Sequence, residues 1–258
     1  MLERMKTRSI SFLMMFLTAL YATPRGSGAQ EGPASLDVDA LLRRVDDVRS
    51  PRGDFSVDTK ILAEAPDGKT RESRYEVLMN ADRDALVKTV YPANERGQAM
   101  LMKGRDLWLY LPNVDQPVRL SLSQRLSGQV SNGDIARMNF SGDYKGTLSR
   151  IEEMSGAQVA VLDLKAVGPW VTYGKVILWV SVSDAHPRRA EFYTTSDILI
   201  KTCEFTKYAQ MEQESRPVEL IFKDALQTGG RSVLSYSSMK RRKLPNRYFS
   251  KEYMQKLD

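Results

Sequence analysis

Cysteine and histidine are almost absent from this sequence. Its 258 residues contain one cysteine, Cys203, and one histidine, His186. A single cysteine cannot form an intramolecular disulfide, so the fold must be held by a hydrophobic core, and a domain of this length buries roughly 70% of its unfolded surface. A transition-metal site would need carboxylates for nearly all of its ligands. We therefore expect neither a metal nor another cofactor.

Catalytic motifs are missing as well. The sequence has no G-x-S-x-G nucleophile elbow and no phosphate-binding G-x-x-x-x-G-K loop. We expect His186 to be exposed in a turn, because proline follows it, and Cys203 to be a small buried hydrophobe within a strand. The acidic candidates for acid–base work stand in charged contexts typical of solvated surface: Asp46-Asp47, Glu152-Glu153 and Asp163. We predict that the protein is not an enzyme and has no catalytic residues.

Long hydrophobic runs are also lacking, and the one clear apolar run is short. Residues 10–20 (ISFLMMFLTAL) follow the basic residues Arg4, Lys6 and Arg8. An 11-residue run is shorter than the roughly 20 residues that span a membrane. The small residues Ser27-Gly28-Ala29 fit a cleavage site. We predict a signal peptide over residues 1–29, cleaved near Ala29, and a mature domain over residues 30–258 in the periplasm. An uncleaved anchor or a disordered tail is the alternative.

Much of the positive charge belongs to this leader. Cleavage at Ala29 removes four basic residues and one acidic residue, so the formal net charge falls from +6 to +3. The remaining excess lies near the C-terminus, at residues 240–243 (KRRK), Arg247, Lys251 and Lys256. Aromatic residues are not interleaved with it as in single-strand nucleic-acid binders. We therefore expect no nucleic acid, and the basic run indicates either a solvated strand end or transient contact with an anionic membrane surface or an acidic partner.

Hydrophobic periodicity predicts a mainly β protein. An apolar stripe at Val38, Leu41, Leu42 and Val45 predicts one N-terminal helix over residues 36–45. From Phe55 onward the period changes to two, and turn residues separate short strands. Such short connections imply antiparallel neighbours. We expect strands near residues 55–61, 70–79, 85–91, 97–103, 105–111, 147–154, 157–166, 176–182, 188–195, 197–208, 216–224 and 231–239.

One stretch, residues 112–144, interrupts the strands. It is rich in Ser, Gly, Asn and Gln but also contains leucines. We expect a mobile segment with a short helix over residues 134–140 that crosses one face of the sheet, and residues 120–140 are the candidate lid. A second short helix is expected over residues 250–257, capped by Ser250.

Three motifs carry a family resemblance. Residues 103–112 (KGRDLWLYLP) resemble the G-x-D-x-W-x-Y-x-P strand of the outer-membrane lipoprotein-sorting (LolA/LolB-like) family. Residues 131–136 (SNGDIA) followed by Asp143-Tyr144, and residues 187–193 (PRRAEFY), are similar to two later motifs of that family. The resemblance implies an incomplete, half-open antiparallel β-barrel of about 11 strands, with helices covering the concave face.

The same resemblance implies a function. It implies a periplasmic carrier that holds lipid or lipoprotein acyl chains on the concave face and shuttles them between inner-membrane machinery, such as an ABC or RND transporter, and the outer membrane. Strand parity selects the apolar residues expected to line this cavity: Met79, Met100, Met102, Leu107, Leu109, Leu111, Leu122, Leu126 and Trp179. The alternative is a periplasmic sensor or interaction module that uses the same fold to bind a protein. An enzyme acting on a lipid or glycan is a third interpretation.

Overall fold

The computed structural model describes residues 36–137, 139–226 and 229–257. The predicted signal peptide, its cleavage site and the following linker lie outside these residues. The chain divides into two units, Met1–Ser35 and Leu36–Asp258, and all that follows concerns the second unit. Within the described residues, no helix combines the length and apolarity that a membrane span requires.

The predicted N-terminal helix is present as α1 (Val38–Arg49). The Asp37 side chain caps it by accepting a 2.9 Å hydrogen bond from the backbone N–H of Ala40. The apolar stripe faces the core, where Leu41, Leu42 and Val45 are buried. The helix continues past Val45 to Arg49 and ends at Ser50, before Pro51, where the sequence Ser50-Pro51-Arg52-Gly53 predicts its end.

Fifteen strands follow in the described part of the chain. They are β1 (Phe55–Glu64), β2 (Thr70–Met79), β3 (Ala85–Tyr91), β4 (Ala99–Lys103), β5 (Asp106–Tyr110), β6 (Val118–Leu120), β7 (Arg125–Ser127), β8 (Val130–Ser131), β9 (Tyr144–Met154), β10 (Ala157–Ala166), β11 (Lys175–Ser181), β12 (Pro187–Tyr193), β13 (Leu199–Met211), β14 (Glu214–Asp224) and β15 (Arg231–Arg241). Between β8 and β9 lie the one-turn helices α2 (Asn132–Ala136) and α3 (Phe140–Asp143), and the helix α4 (Lys251–Met254) follows β15. Residues Ala93–Glu95 and Asn246–Phe249 form 3₁₀ turns.

Thirteen of these strands form one antiparallel sheet, with β7 and β8 pairing separately. Its order is β6-β5-β4-β3-β2-β1-β15-β14-β13-β12-β11-β10-β9. The last strand thus pairs with the first, and the two edges, β6 and β9, are joined in sequence by residues 121–143. The prediction of a mainly β, half-open antiparallel barrel is confirmed. The main sheet has 13 strands where about 11 were expected, since even the three-residue β6 pairs with β5.

One face of the sheet, which we call the inner face, carries the main core. Buried apolar side chains from β1 to β5 and from β9 to β15 belong to one cluster with α1 and with residues 121–143. This cluster reaches from β5 to β9, as expected of a twisted sheet that curves around the elements covering it. The opposite, outer face has two smaller clusters, one against residues 244–257 and one around Trp179.

The covering segment, residues 121–143, differs from its prediction in detail. A helix over residues 134–140 is wrong, because α2 ends at Ala136 and a new helix begins at Phe140. Arg137 has an extended backbone, and the Asn139 side chain caps α3 by accepting from the N–H of Gly142 at 3.2 Å. The C-terminal helix is confirmed but shorter than expected, with Ser250 accepting from the N–H of Tyr253 at 3.2 Å.

Because the inner face is buried under α1, truncating a core residue of that helix tests the packing. Leu42 has no exposed surface, so Leu42→Ala is expected to lower the free energy of unfolding by about 3 kcal/mol. The neighbouring Arg43 is exposed, and Arg43→Ala is expected to change it by less than about 0.5 kcal/mol. Urea unfolding measures both, and equal losses would contradict this packing.

Candidate functional site

A small cavity lies between the covering segment and the inner face. Its volume is about 40 Å³. The β-sheet side is apolar and aromatic, formed by Phe192, Cys203, Phe205, Leu220 and Phe222. The opposite wall is mostly polar and comes from α1, the loop before β11 and the covering segment: Arg49, Gly133, Asp134, Arg137, Asn139, Phe140, Asp143, Tyr144, Thr172 and Tyr173. The cavity is therefore amphipathic and lies directly beneath the covering segment.

A buried ion pair attaches the covering segment to the sheet. Lys201 of β13 donates to the carboxylate of Asp134 in α2, and both side chains are at least 94% buried. Lys201 also donates to the carbonyl of Gln129 at 2.9 Å. Its ammonium group lies about 5 Å from the ring centroids of Tyr173 and Phe222. We call this pair the Lys201–Asp134 latch.

Tyr173 completes the latch. Its hydroxyl donates to the second oxygen of Asp134 at 2.7 Å. Burial and the adjacent Asp134 carboxylate raise the pKa of Tyr173 well above its ordinary value, so the phenol stays protonated as a donor. The N–H of Ser131 donates to Asp134 at 2.7 Å as part of a capping box. Asp134 thus accepts hydrogen bonds from three groups, and one of them, the N–H of Ser131, belongs to the cap of its own helix.

The hairpin β7–β8 is attached to the inner face by hydroxyl groups. Ser127 and Ser73 of β2 share a hydrogen bond of 3.2 Å between their side chains. The N–H of Gln129 donates to the Ser232 hydroxyl of β15 at 2.9 Å. Between them, Gly128 has a φ of +56° and approaches so closely that a Cβ there would lie 2.5 Å from the Ala63 Cβ. Only glycine fits this contact.

Asp46 of α1 fixes the other end of the covering segment. Its two carboxylate oxygens accept hydrogen bonds of 2.8 Å from the N–H groups of Phe140 and Ser141. Burial raises the pKa of Asp46, and these bonds and Arg49 oppose that shift. The expectation that Asp46 is solvated surface is wrong, because its partners lie about 94 residues away in sequence and no local pattern reveals them.

Arg49 extends from α1 into the cavity wall. Its guanidinium lies 4.4 Å from the centroid of the Phe140 ring and 4.0 Å from Asp46. Farther along the segment, Arg137 holds both oxygens of Asp143 and donates to the carbonyl of Gly104 at 2.7 Å. Buried charges on the wall are therefore paired with opposite charges from the same or a neighbouring element.

Of the two rare residues, Cys203 is buried and His186 is half-buried in the loop between β11 and β12. Cys203 is 1% exposed and lines the cavity, and burial raises the pKa of its thiol, as expected of a buried hydrophobe. His186 lies outside the cavity lining and stacks on Tyr208 with ring centroids 4.2 Å apart. Its side chain is 14% exposed, so the expectation of an exposed turn histidine is wrong. Desolvation lowers its pKa.

The predicted ligand residues do not line this cavity, but most lie on the same inner face. Met79, Met100, Met102, Leu107 and Leu122 are buried in the main core cluster, and Leu109 and Leu126 pack against it. Leu111 is half-buried just after β5. Trp179 is the exception, because it packs on the outer face against Val159 and Val161, and its indole donates to Glu152 at 2.8 Å. Strand β11 is apolar on both faces, so its sequence does not show which of its residues face the inner side of the sheet.

The fold matches known structures. A LolA superfamily protein from Nitrosomonas europaea is 46% identical to the chain, with a TM-score of 0.81, over 85% of this chain and 100% of that protein. The chain belongs to the LolA superfamily. The family resemblance of the sequence motifs is thereby confirmed. A family model described as an uncharacterized protein matches residues 81–256. No curated protein matches the chain.

Two more distant structures share the LolA-like fold. A DUF1329 family protein from Desulfovibrio piger is 20% identical, with a TM-score of 0.73, over 84% of this chain and 97% of that one. A domain described as an outer membrane lipoprotein-sorting protein, from Vibrio parahaemolyticus, is 21% identical with a TM-score of 0.72 over the same shares. A protein described as lipoprotein-sorting thus has the same fold as this chain.

The latch is testable by a double-mutant cycle. Asp134→Asn leaves the buried Lys201 ammonium without a counter-charge, and we expect a loss of about 3 kcal/mol in the free energy of unfolding. Adding Lys201→Met removes that charge and should restore most of the loss. Urea unfolding of the four proteins gives the coupling energy. Additive losses would show that the two side chains are not coupled.

Proposed function

We propose that this LolA-superfamily protein binds an acyl chain of a lipid or lipoprotein on its inner face and carries it through the periplasm between inner-membrane machinery and the outer membrane. The observation that carries the proposal is the arrangement of the covering segment. It lies over a continuous apolar face and is attached there through discrete polar contacts, with a cavity beneath it. Family membership supports the same function.

Cavity size requires the covering segment to move. A volume of about 40 Å³ accommodates a few water molecules, since one water needs roughly 10–15 Å³ by this measure. An acyl chain gains about 0.8 kcal/mol for each methylene that it buries. A chain of a dozen methylenes could therefore replace the contacts that residues 121–143 make with the inner face. Exchange of one apolar cover for another keeps the face out of water throughout.

Polar attachments make such an exchange reversible. The Lys201–Asp134 latch and the Asp46 contacts hold specific groups of the segment, and their loss costs a defined amount of free energy. Burial of the apolar cargo strongly favours binding, so a carrier needs a free-energy contribution that opposes binding in order to release the cargo. In this proposal the latch supplies that free-energy contribution, because the ion pair re-forms when the cargo leaves.

Movement of the segment would open a larger acyl-binding surface toward β2, β4 and β5. The residues proposed to contact the chain are Met79, Met100, Met102, Leu107, Leu109, Leu111, Leu122 and Leu126. Methionine and leucine side chains adapt to flexible ligands. Trp179 is left out, because it lies on the outer face. The inner-membrane partner in this proposal is a transporter of the ABC or RND type.

Fluorescent fatty acid binding tests the proposal directly. Leu109→Arg places a charge among the inner-face residues of β5, and we expect it to weaken binding at least tenfold while the protein stays folded. Leu62→Arg is the matched control, because Leu62 is 38% exposed and paired with Glu72 on the outer face of β1. Equal affinities of both variants, or no binding by the unmodified protein after delipidation, would overturn the proposal.

The single thiol reports on the covering segment independently. Cys203 lines the cavity, so a thiol reagent should react with the folded protein far more slowly than with the unfolded chain. Opening exposes the thiol, and Asp134→Asn should therefore raise the labelling rate at least fivefold under native conditions. Bound fatty acid should slow labelling again. A rate insensitive to the latch and to fatty acid would contradict opening at this site.

A further inference from the structure

Many charges on the outer face are neutralised by ion pairs between or along strands. Basic and acidic side chains of neighbouring strands, or two apart on one strand, approach within 3.0 Å across β1 and β9 to β15. These pairs are Arg150–Glu152, Arg189–Glu191, Lys207–Glu219, Lys223–Glu204 and Arg231–Glu64. This part of the surface thus has little net charge to attract a charged partner.

The C-terminal residues 243–257 are different. They contain the basic residues Lys243, Arg247, Lys251 and Lys256 and one acidic residue, the exposed Glu252. Within the described part of the chain, none of the four basic side chains has a carboxylate within ion-pair distance. Arg241 and Arg242, just before them, approach Glu212 and Glu76 at 3.9 and 3.8 Å. Residues 243–257 therefore carry a local excess of three positive charges.

Aromatic rings lie among these charges. The Lys251 ammonium is 3.1 Å from the centroid of the Trp108 ring, on the outer face of β5. Tyr248 and Tyr253 stack with centroids 4.5 Å apart, and the Arg247 guanidinium lies 6.0 Å from the Tyr248 ring. We call Lys243, Arg247, Lys251 and Lys256 together with these three rings the basic–aromatic face. Half-buried tryptophan and tyrosine beside lysine and arginine is the combination that occupies the headgroup level of a bilayer.

This face is held rigidly. Leu244, Phe249 and Met254 insert into the outer-face cluster formed by β2 to β4. The N–H of Leu244 donates to Asp54 at 2.8 Å, and Lys103 donates to the carbonyl of Phe249 at 2.9 Å. Binding at the basic–aromatic face therefore needs little ordering of the backbone, which lowers its entropic cost.

We propose that the basic–aromatic face docks the protein on a membrane rich in anionic phospholipid. The unpaired positive charges match the surface potential of such a membrane, and the rings match its interfacial region. The site also adjoins the route to the covering segment, because Gln255 donates at 2.7 Å to the carbonyl of Asp115, between β5 and β6. Docking here brings the loop that leads through β6 into that segment near the lipid, where the proposed function has cargo taken up or delivered.

Vesicle binding tests the docking. The probes are vesicles of phosphatidylglycerol and phosphatidylcholine, and of phosphatidylcholine alone, in a sedimentation assay at low and physiological salt. We expect binding to the anionic vesicles, weakened by salt. A variant with Lys243→Gln, Arg247→Gln, Lys251→Gln and Lys256→Gln should bind at least tenfold more weakly, since each basic residue near such a surface contributes roughly fivefold.

The matched control carries the same change in charge elsewhere. Arg43, Lys60, Lys145 and Lys165 are exposed and have no ion pair among the described residues, so replacing all four by Gln should leave vesicle binding within threefold of the unmodified protein. Equal loss in both variants indicates net charge alone and overturns the proposal, as does lack of binding to anionic vesicles at low salt. Fatty acid binding, measured in parallel, should be unchanged in both, so the docking and the acyl-chain proposals fail separately.

Discussion

The constraint on which this structure depends is an apolar sheet face that the sheet itself cannot close. Pairing of β15 with β1 joins the two ends of the meander, so the break falls between β6 and β9. The chain between those two strands is the covering segment, which crosses the inner face and buries Leu122, Val130, Ile135, Ala136 and Phe140 there. One connection therefore completes the core and bridges the gap. Anything that binds the inner face must displace it.

The covering segment is attached in a way that favours two discrete states over gradual loosening. Its apolar residues need only an apolar surface, and an acyl chain presents one as well. Its polar groups need particular partners: Lys201 for Asp134, and the N–H groups of Phe140 and Ser141 for Asp46. A buried ion pair adds little net stability compared with well-packed apolar residues, but a buried charge that has lost its partner is strongly destabilising. The latch is accordingly either made or fully exchanged for water.

Local sequence patterns were sufficient for twelve of the fifteen described strands and for α1, because their periods of 2 and 3.6 are set by backbone geometry and by burial on one side. They missed the short strands β6, β7 and β8, which are too short to show a period. They failed where both faces of a strand are apolar, as at Trp179, and where a polar residue finds a distant partner, as at Asp46. The Lys201–Asp134 latch is only partly indicated by the sequence. Lys201 lies two residues before Cys203 and Phe205 lies two after it, so strand parity places this lysine inside a mostly apolar face. A lysine there requires a buried acidic partner, although parity does not say which one.

The two faces of the sheet have different proposed roles. On the inner face, Lys201 is paired with Asp134 of the covering segment, and the rest of the sheet surface beneath that segment is largely apolar and attracts hydrocarbon. On the outer face many strand charges are paired, and unpaired positive charges lie together beside aromatic rings where residues 243–257 pack over β2 to β4. When the latch opens, Lys201 loses its counter-charge and must be solvated by water, which opposes cargo binding, whereas an unpaired charge on the outer face costs little because water already solvates it. The separation of hydrocarbon binding from surface attraction follows from the alternation of side chains along the same strands, since successive residues of a strand point to opposite faces.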